Sequence, residues 1–162
     1  MSTTKTLQEQ IAVEPTRPRV VAECVTMIDE QVRSKGGMRG MTVRAAYATI
    51  KALKRGFVTG VVDALLDDWL GKLEPYYARW GSGSTGSFAE YLTARSDEVA
   101  EDLLVVTDQR AETTKHTTAK KYYFKMRDRA KENVVEAVPE LARLIERHLA
   151  GAPQASAGGA TA

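Results

Sequence analysis

Cysteine and histidine are scarce in this chain, and their scarcity excludes several kinds of site. Cys24 is the only cysteine among 162 residues, so neither an internal disulfide nor a cysteine-rich zinc site is available. It falls on an apolar helical face, which is typical of a buried thiol. The two histidines, His116 and His148, have no carboxylate or second histidine at metal-ligand spacing. We therefore predict no metal site.

Phosphate-binding loops and catalytic pairs are also missing. The glycines of residues 81–86 are not followed by the Lys-Ser or Lys-Thr of a phosphate loop, and those of residues 36–40 follow no predicted strand. Ser82, Ser84 and Ser87 have no partner base in view. The sequence therefore predicts no catalytic residue and no cofactor, and an enzyme is unsupported.

Long apolar runs are absent as well. No segment is long enough to span a membrane, and the N-terminus has no apolar signal core, so we expect no membrane insertion and a cytoplasmic location. Net charge is only +2, which sets up no overall field that attracts a polyanion. The charge is placed in blocks: residues 39–55 carry five cations and no acid, 87–112 seven acids and two cations, and 115–131 seven cations and one acid.

What the chain does have is apolar residues at helical spacing through most of its length, with no two-residue alternation. We predict an all-α, single-domain bundle of about seven helices over residues 16–150. Residues 1–15 are expected to form an arm or one weak helical turn, and residues 151–162 a disordered Ala/Gly/Ser tail. Ser87 and Glu90 form a capping-box pattern, and Thr42 is expected to cap a helix. Pro75 is expected to break or kink its helix, and Pro139 to allow a new helix to start.

Two basic helices match each other after a shift of 76 residues. Arg44, Lys51 and Arg55 correspond in this way to Lys120, Arg127 and Lys131, and Tyr47 corresponds to Tyr123. We interpret the match as a diverged internal duplication of three helices, about 17–74 and 97–149, joined by a hinge at 81–87 and related by a pseudo-twofold axis. The preceding helices match with a slightly different shift, which pairs Glu30 with Asp108. Tyr47 and Tyr123 are expected to be largely buried.

Several short strings, in order along the chain, resemble a bacterial family catalogued only as a domain of unknown function. The strings are Arg17-Pro18, Ala45-Ala46-Tyr47, Leu73-Glu74-Pro75-Tyr76, Asp97-Glu98-Val99-Ala100, Val106-Thr107-Asp108, and Val134-Val135 ahead of Pro139. The resemblance spans about residues 17–149. It implies an all-helical fold, and it implies no activity or site residue.

Three functions remain open. The first is a non-catalytic interaction, scaffold or regulatory module that binds a protein partner or a second copy of itself. The second is binding of nucleic acid or another polyanion through the two basic helices. The third is carriage of an apolar small ligand between the halves, near Trp69 and Tyr77. The candidate anion- or partner-binding residues are Arg44, Lys51, Arg55, Lys120, Phe124, Arg127 and Lys131.

Two other interpretations of the basic helix faces require no binding partner. Lys and Arg are good helix formers, so the faces can simply be solvated. Alternatively, the acidic helix near residues 97–110 packs beside the second basic helix and neutralises it.

Overall fold

The computed structural model describes residues 5–149, apart from the side chain of Asp128, and this part of the chain is helical with no strand. The all-α prediction is confirmed. The helices are α1 (Leu7–Ile11), α2 (Arg17–Arg33), α3 (Gly37–Lys51), α4 (Phe57–Gly81), α5 (Phe88–Thr93), α6 (Ser96–Thr113) and α7 (Thr117–Arg147). None of them, within the described range, is both long and apolar enough to cross a membrane. The tail predicted for residues 151–162 lies outside the described residues.

The long helix α7 lies at the centre of the bundle and packs against α2, α3, α5 and α6, while α4 packs against α1, α2 and α6. The main hydrophobic core lies along α4, from Val62 to Tyr76, and around the C-terminal part of α7. Its most deeply buried members are Leu7, Ile11, Val20, Val62, Leu73, Phe88, Leu92, Val99 and Val138. No described side chain of α3, or of α7 before Val134, belongs to this core.

The segment predicted as an arm is part of that core. A capping box between Thr6 and Glu9 begins α1, and Leu7 and Ile11 are fully buried. The Leu7 N–H donates to the Glu74 carboxylate at 2.8 Å. The single helical turn was predicted, but its burial was not, because two apolar residues four apart are too few to distinguish a core helix from an exposed one.

Helix α3 begins earlier than predicted, and Thr42 does not cap it. Its N-cap is Gly36, and the Thr42 hydroxyl lies within the helix, where it donates to the Met38 carbonyl. Gly40 is buried one turn into α3, and a Cβ there would overlap the carbonyl of Lys35 at the end of α2. The missing side chain therefore lets the start of α3 lie against the end of α2.

Both prolines lie inside helices, so Pro75 does not break its helix and Pro139 does not begin a new one. Pro75 is within α4 and Pro139 within α7, so the second half of the chain has one continuous helix where two were predicted. A proline removes one helical hydrogen bond and costs about 3 kcal/mol or more. Burial of Val138 and Ala142 beside Pro139 offsets that cost, because these side chains belong to the core. The predicted Ser87–Glu90 capping box does begin α5, and the predicted hinge links α4 to α5.

The contact at Gly40 gives a stability prediction. Gly40→Ala should lower the free energy of unfolding by about 1–3 kcal/mol, as overpacking does elsewhere, because the new methyl group meets backbone atoms. Gly71→Ala in α4 is the control. No atom lies within 4 Å of a Cβ there, so helix propensity should stabilise the protein by about 0.5–1 kcal/mol. Equal urea-unfolding midpoints for the two variants would contradict the close approach of α2 and α3.

Candidate functional site: two tyrosine–aspartate contacts and the cavity between them

An aspartate on α2 holds α3 in place. The Asp29 carboxylate accepts a hydrogen bond from the Tyr47 hydroxyl at 2.7 Å and forms an ion pair with the Lys51 ammonium at 2.9 Å. Burial acts to raise the pKa of Asp29, but the hydrogen bonds from Tyr47 and Lys51 outweigh it and the pKa is lowered. Burial and the hydrogen bond to Asp29 raise the pKa of the Tyr47 phenol. Asp29 is thus held ionised between two groups of the next helix.

The same three kinds of residue join α6 to α7. The Asp108 carboxylate accepts from the Tyr123 hydroxyl at 2.6 Å and from the Arg127 guanidinium at 2.8 and 3.0 Å. Burial opposes ionisation of Asp108, yet Arg127 and Tyr123 lower its pKa below the usual value. By its contacts, Asp29 is the residue of α2 that resembles Asp108, whereas the sequence shift paired Asp108 with Glu30.

Two further cations make corresponding contacts. The Arg44 guanidinium donates to the Lys35 carbonyl near the end of α2. The Lys120 ammonium donates to the Glu112 carbonyl near the end of α6 at 3.3 Å and lies 3.8 Å from the carboxylate of the same residue. Each side chain therefore links the end of one helix to the helix that follows it.

The remaining predicted binding residues, Arg55, Phe124 and Lys131, do not make contacts that match between the two halves. Lys131 lies within α7 and pairs with Glu101 at 2.9 Å and with Asp97 at 3.5 Å. Arg55 is not on α3, which ends at Lys51; it lies in the turn before α4 and is exposed. The ring of Phe124 is partly buried and packs edge-on against Tyr123.

These contacts bear on the hypothesis of polyanion binding. Apart from Arg55, every cation of the predicted set is engaged by a carboxylate or a carbonyl of the chain itself. The acidic helix α6 supplies partners for Lys120, Arg127 and Lys131. The geometry thus favours the interpretation in which the acidic and basic blocks neutralise each other.

Between the two helix pairs lies a cavity of about 710 Å³. It is bounded by α2, α3, α4, α6, α7 and the turn that precedes α4. Most of its lining is apolar. The larger apolar and aromatic lining residues are Met27, Ile28, Val32, Val43, Tyr47, Ile50, Phe57, Val58, Val61, Val62, Leu65, Trp69, Leu104, Tyr123, Met126 and Val134.

The cavity accounts for the partial burial of the two tyrosines. Both were expected to be largely buried, but their rings line the cavity while their hydroxyls reach the aspartates, so each side chain keeps some exposure. Trp69 also lines the cavity, and its indole N–H donates to the Thr107 hydroxyl at 3.3 Å. Tyr77, which was expected beside Trp69, instead stacks on Trp80 near the main core.

The aspartate contacts predict how stability depends on pH. The folded pKa of Asp108 is below its unfolded value of about 3.9, so its contribution is complete above that pH and is lost as the pH falls through the folded pKa. Asp108→Asn should therefore cost about 1–2 kcal/mol at pH 7, since its hydrogen bonds are charge-assisted but partly exposed. The difference from wild type should shrink as the pH approaches about 2.

Urea unfolding at several pH values measures this difference. Asp68→Asn is the matched control, because Asp68 is exposed and forms no ion pair with another residue in the range 5–149. It should change stability by no more than about 0.5 kcal/mol. A cost for Asp108→Asn that stays constant down to about pH 2 would show that the carboxylate charge is not what holds α7.

Comparison with protein families gives one match. Residues 7–149 match the model of a family described as a family of unknown function, DUF6918. The match therefore includes α1 and covers the helices that bound the cavity. Searches of curated proteins and of solved structures found no match.

Proposed function

The chain belongs to the DUF6918 family, a family of unknown function, and we propose from its own geometry that it binds an apolar small molecule in the cavity between its helix pairs. The observation that supports this function is the cavity itself. Its volume of about 710 Å³ is within the range of about 300–1,000 Å³ found for small-molecule sites. Apolar and aromatic lining with few polar groups is also typical of such sites.

The packing of α7 supports the same function. Its cavity face follows helical spacing, and three of its residues there are alanines: Ala119, Ala130 and Ala137. Tyr123 and Met126 lie between them on the same face. Small side chains at these positions leave room along the axis of the helix, whereas larger ones would fill it. The volume thus depends on a few small residues and can be removed by design.

We expect Ala130→Phe combined with Ala137→Phe to fill the cavity. Binding of N-phenylnaphthylamine, a neutral dye that fluoresces in apolar sites, should then weaken at least about tenfold, because the dye and the new rings compete for one volume. Fluorescence titration measures the effect. The matched control is Ala45→Phe with Ala64→Phe, which adds the same two rings at exposed helix positions that do not line the cavity.

The outcome separates cavity binding from adsorption to the surface. If the cavity-filled protein keeps its helical circular dichroism and still binds the dye as wild type does, the proposed function fails. If the filled protein loses binding and the control keeps it, the cavity is the site. Native mass spectrometry of protein purified from its own source then identifies the natural ligand.

A second candidate function is binding of a protein partner or a second copy through the outer face of α3. Met38 is 83% exposed and Met41 is 61% exposed, and both lie in the first half of that helix. Exposed methionines adapt well to varied partners, so they are common in protein contacts.

We expect Met38→Gln with Met41→Gln to lower self-association in sedimentation velocity runs without loss of thermal stability, because neither side chain is in the core. Val13→Gln, which changes an exposed apolar residue elsewhere, is the control and should leave the sedimentation coefficient unchanged. A wild-type protein that stays monomeric at high concentration would argue against self-association through this face.

A further inference from the structure

Five lysine and arginine residues and one histidine line the cavity. They are Lys35, Lys54, Arg55, Arg110, His116 and Lys120. Among the side chains described for residues 5–149, which exclude that of Asp128, no aspartate or glutamate lines it, although the chain has 21 acids against 23 Lys and Arg residues. A lining drawn evenly from this composition would contain both signs. The cavity is therefore apolar with a selectively cationic edge.

Most of these side chains lie where two turns meet. Lys54 and Arg55 lie in the turn between α3 and α4, and Arg110 and His116 flank the turn between α6 and α7. The two turns are adjacent, because the ring of Phe57 packs edge-on against the ring of His116 with 5.1 Å between their centroids. We call Lys54, Arg55, Arg110 and His116 the cationic rim of the cavity.

The three permanent charges of the rim are available to a ligand. Within residues 5–149, the side chains of Lys54, Arg55 and Arg110 form no ion pair or hydrogen bond, and all three are exposed. In contrast, the remaining basic lining residues are engaged, Lys35 by Glu136 and Lys120 by Glu112. The rim is thus a set of cations without an internal counter-charge.

The ends of α4 and α7 add to the positive potential at the rim. Both helices start there, at Phe57 and Thr117, and neither has a capping side chain or an acid in its first turn. A helix N-terminus carries a partial positive charge, which is usually balanced by such groups.

We propose that the ligand is a single-chain anionic amphiphile, with its apolar chain in the cavity and its carboxylate or phosphate group at the cationic rim. This inference rests on the proposed function and specifies its ligand. The apolar lining accepts the chain, and the rim supplies charge-assisted hydrogen bonds to the head group. A neutral amphiphile of the same length gains only the first of these contributions.

Displacement of N-phenylnaphthylamine by three ligands of equal chain length tests the proposal: palmitate, hexadecyl phosphate and hexadecanol. All are used below their aggregation concentrations. We expect at least one of the two anions to bind wild type at least about tenfold more tightly than hexadecanol, and this preference to fall as salt is raised. Comparison of palmitate with hexadecyl phosphate distinguishes the two head groups.

Lys54→Gln with Arg55→Gln should lower the preference for the anion at least about threefold and leave hexadecanol binding within about twofold, because it removes two of the head-group contacts. The matched control is Arg39→Gln with Lys72→Gln, which makes the same change of charge at exposed positions outside the cavity. The control should keep the wild-type preference. Far-UV circular dichroism verifies that both proteins are folded.

The possible failures are distinct. Equal binding of all three ligands by wild type, or the same anion preference in the rim variant as in the control, would overturn the anionic ligand while leaving apolar binding intact. Dye binding that survives filling of the cavity would overturn the proposed function itself.

Discussion

The carboxylates of Asp29 and Asp108 are the contacts on which the walls of the cavity depend. Each accepts hydrogen bonds from a tyrosine and a cation on the following helix, so each joins two helices that a core of apolar side chains would otherwise have to hold together. The tyrosine rings face the cavity and their hydroxyls face the carboxylates. The hydrogen bond from each tyrosine hydroxyl holds its ring in the cavity wall, so no other side chain has to pack against the face of the ring that lines the cavity. The cavity can therefore coexist with a stable bundle.

Periodicity predicted that the chain is all helical, and local chemistry predicted the start of α5. It failed where tertiary contacts decide. The start of α3 depends on a close approach of Gly40 to α2, and the continuity of α7 through Pro139 depends on core burial at Val138. The first contact depends on the geometry of the turn between α2 and α3, and the second on packing against distant residues; helix propensity indicates neither of them.

The site was only partly predictable. The 76-residue shift identified the tyrosines and most of the cations, but a pattern on one helix does not show which other helix supplies the carboxylate, and Asp29 was missed. The cavity was harder still. The sequence pattern of an apolar helix face is the same whether the face packs against another side chain or lines a cavity. The alanines of α7 likewise gave no indication that a cavity lies beside them. The sequence did show the block of cations that includes Arg55, but it could not show that Arg55 has no ion pair within the described part of the chain.

The two halves share their contacts but not their helix boundaries, and the difference falls at the rim. The aspartate contacts of α2 with α3 recur between α6 and α7, which supports the duplication hypothesis. Under the same shift, however, the turn between α3 and α4 corresponds to the middle of α7, where the helix is unbroken. Lys131 is part of α7, and this position lets it pair with acids of α6. Arg55 lies beyond the end of α3, and it lines the cavity without an ion pair to any described residue. Because the helix is broken between α3 and α4, Arg55 has no carboxylate partner within residues 5–149 and can contact a ligand. Its counterpart Lys131, on the unbroken helix α7, instead neutralises the acids of α6.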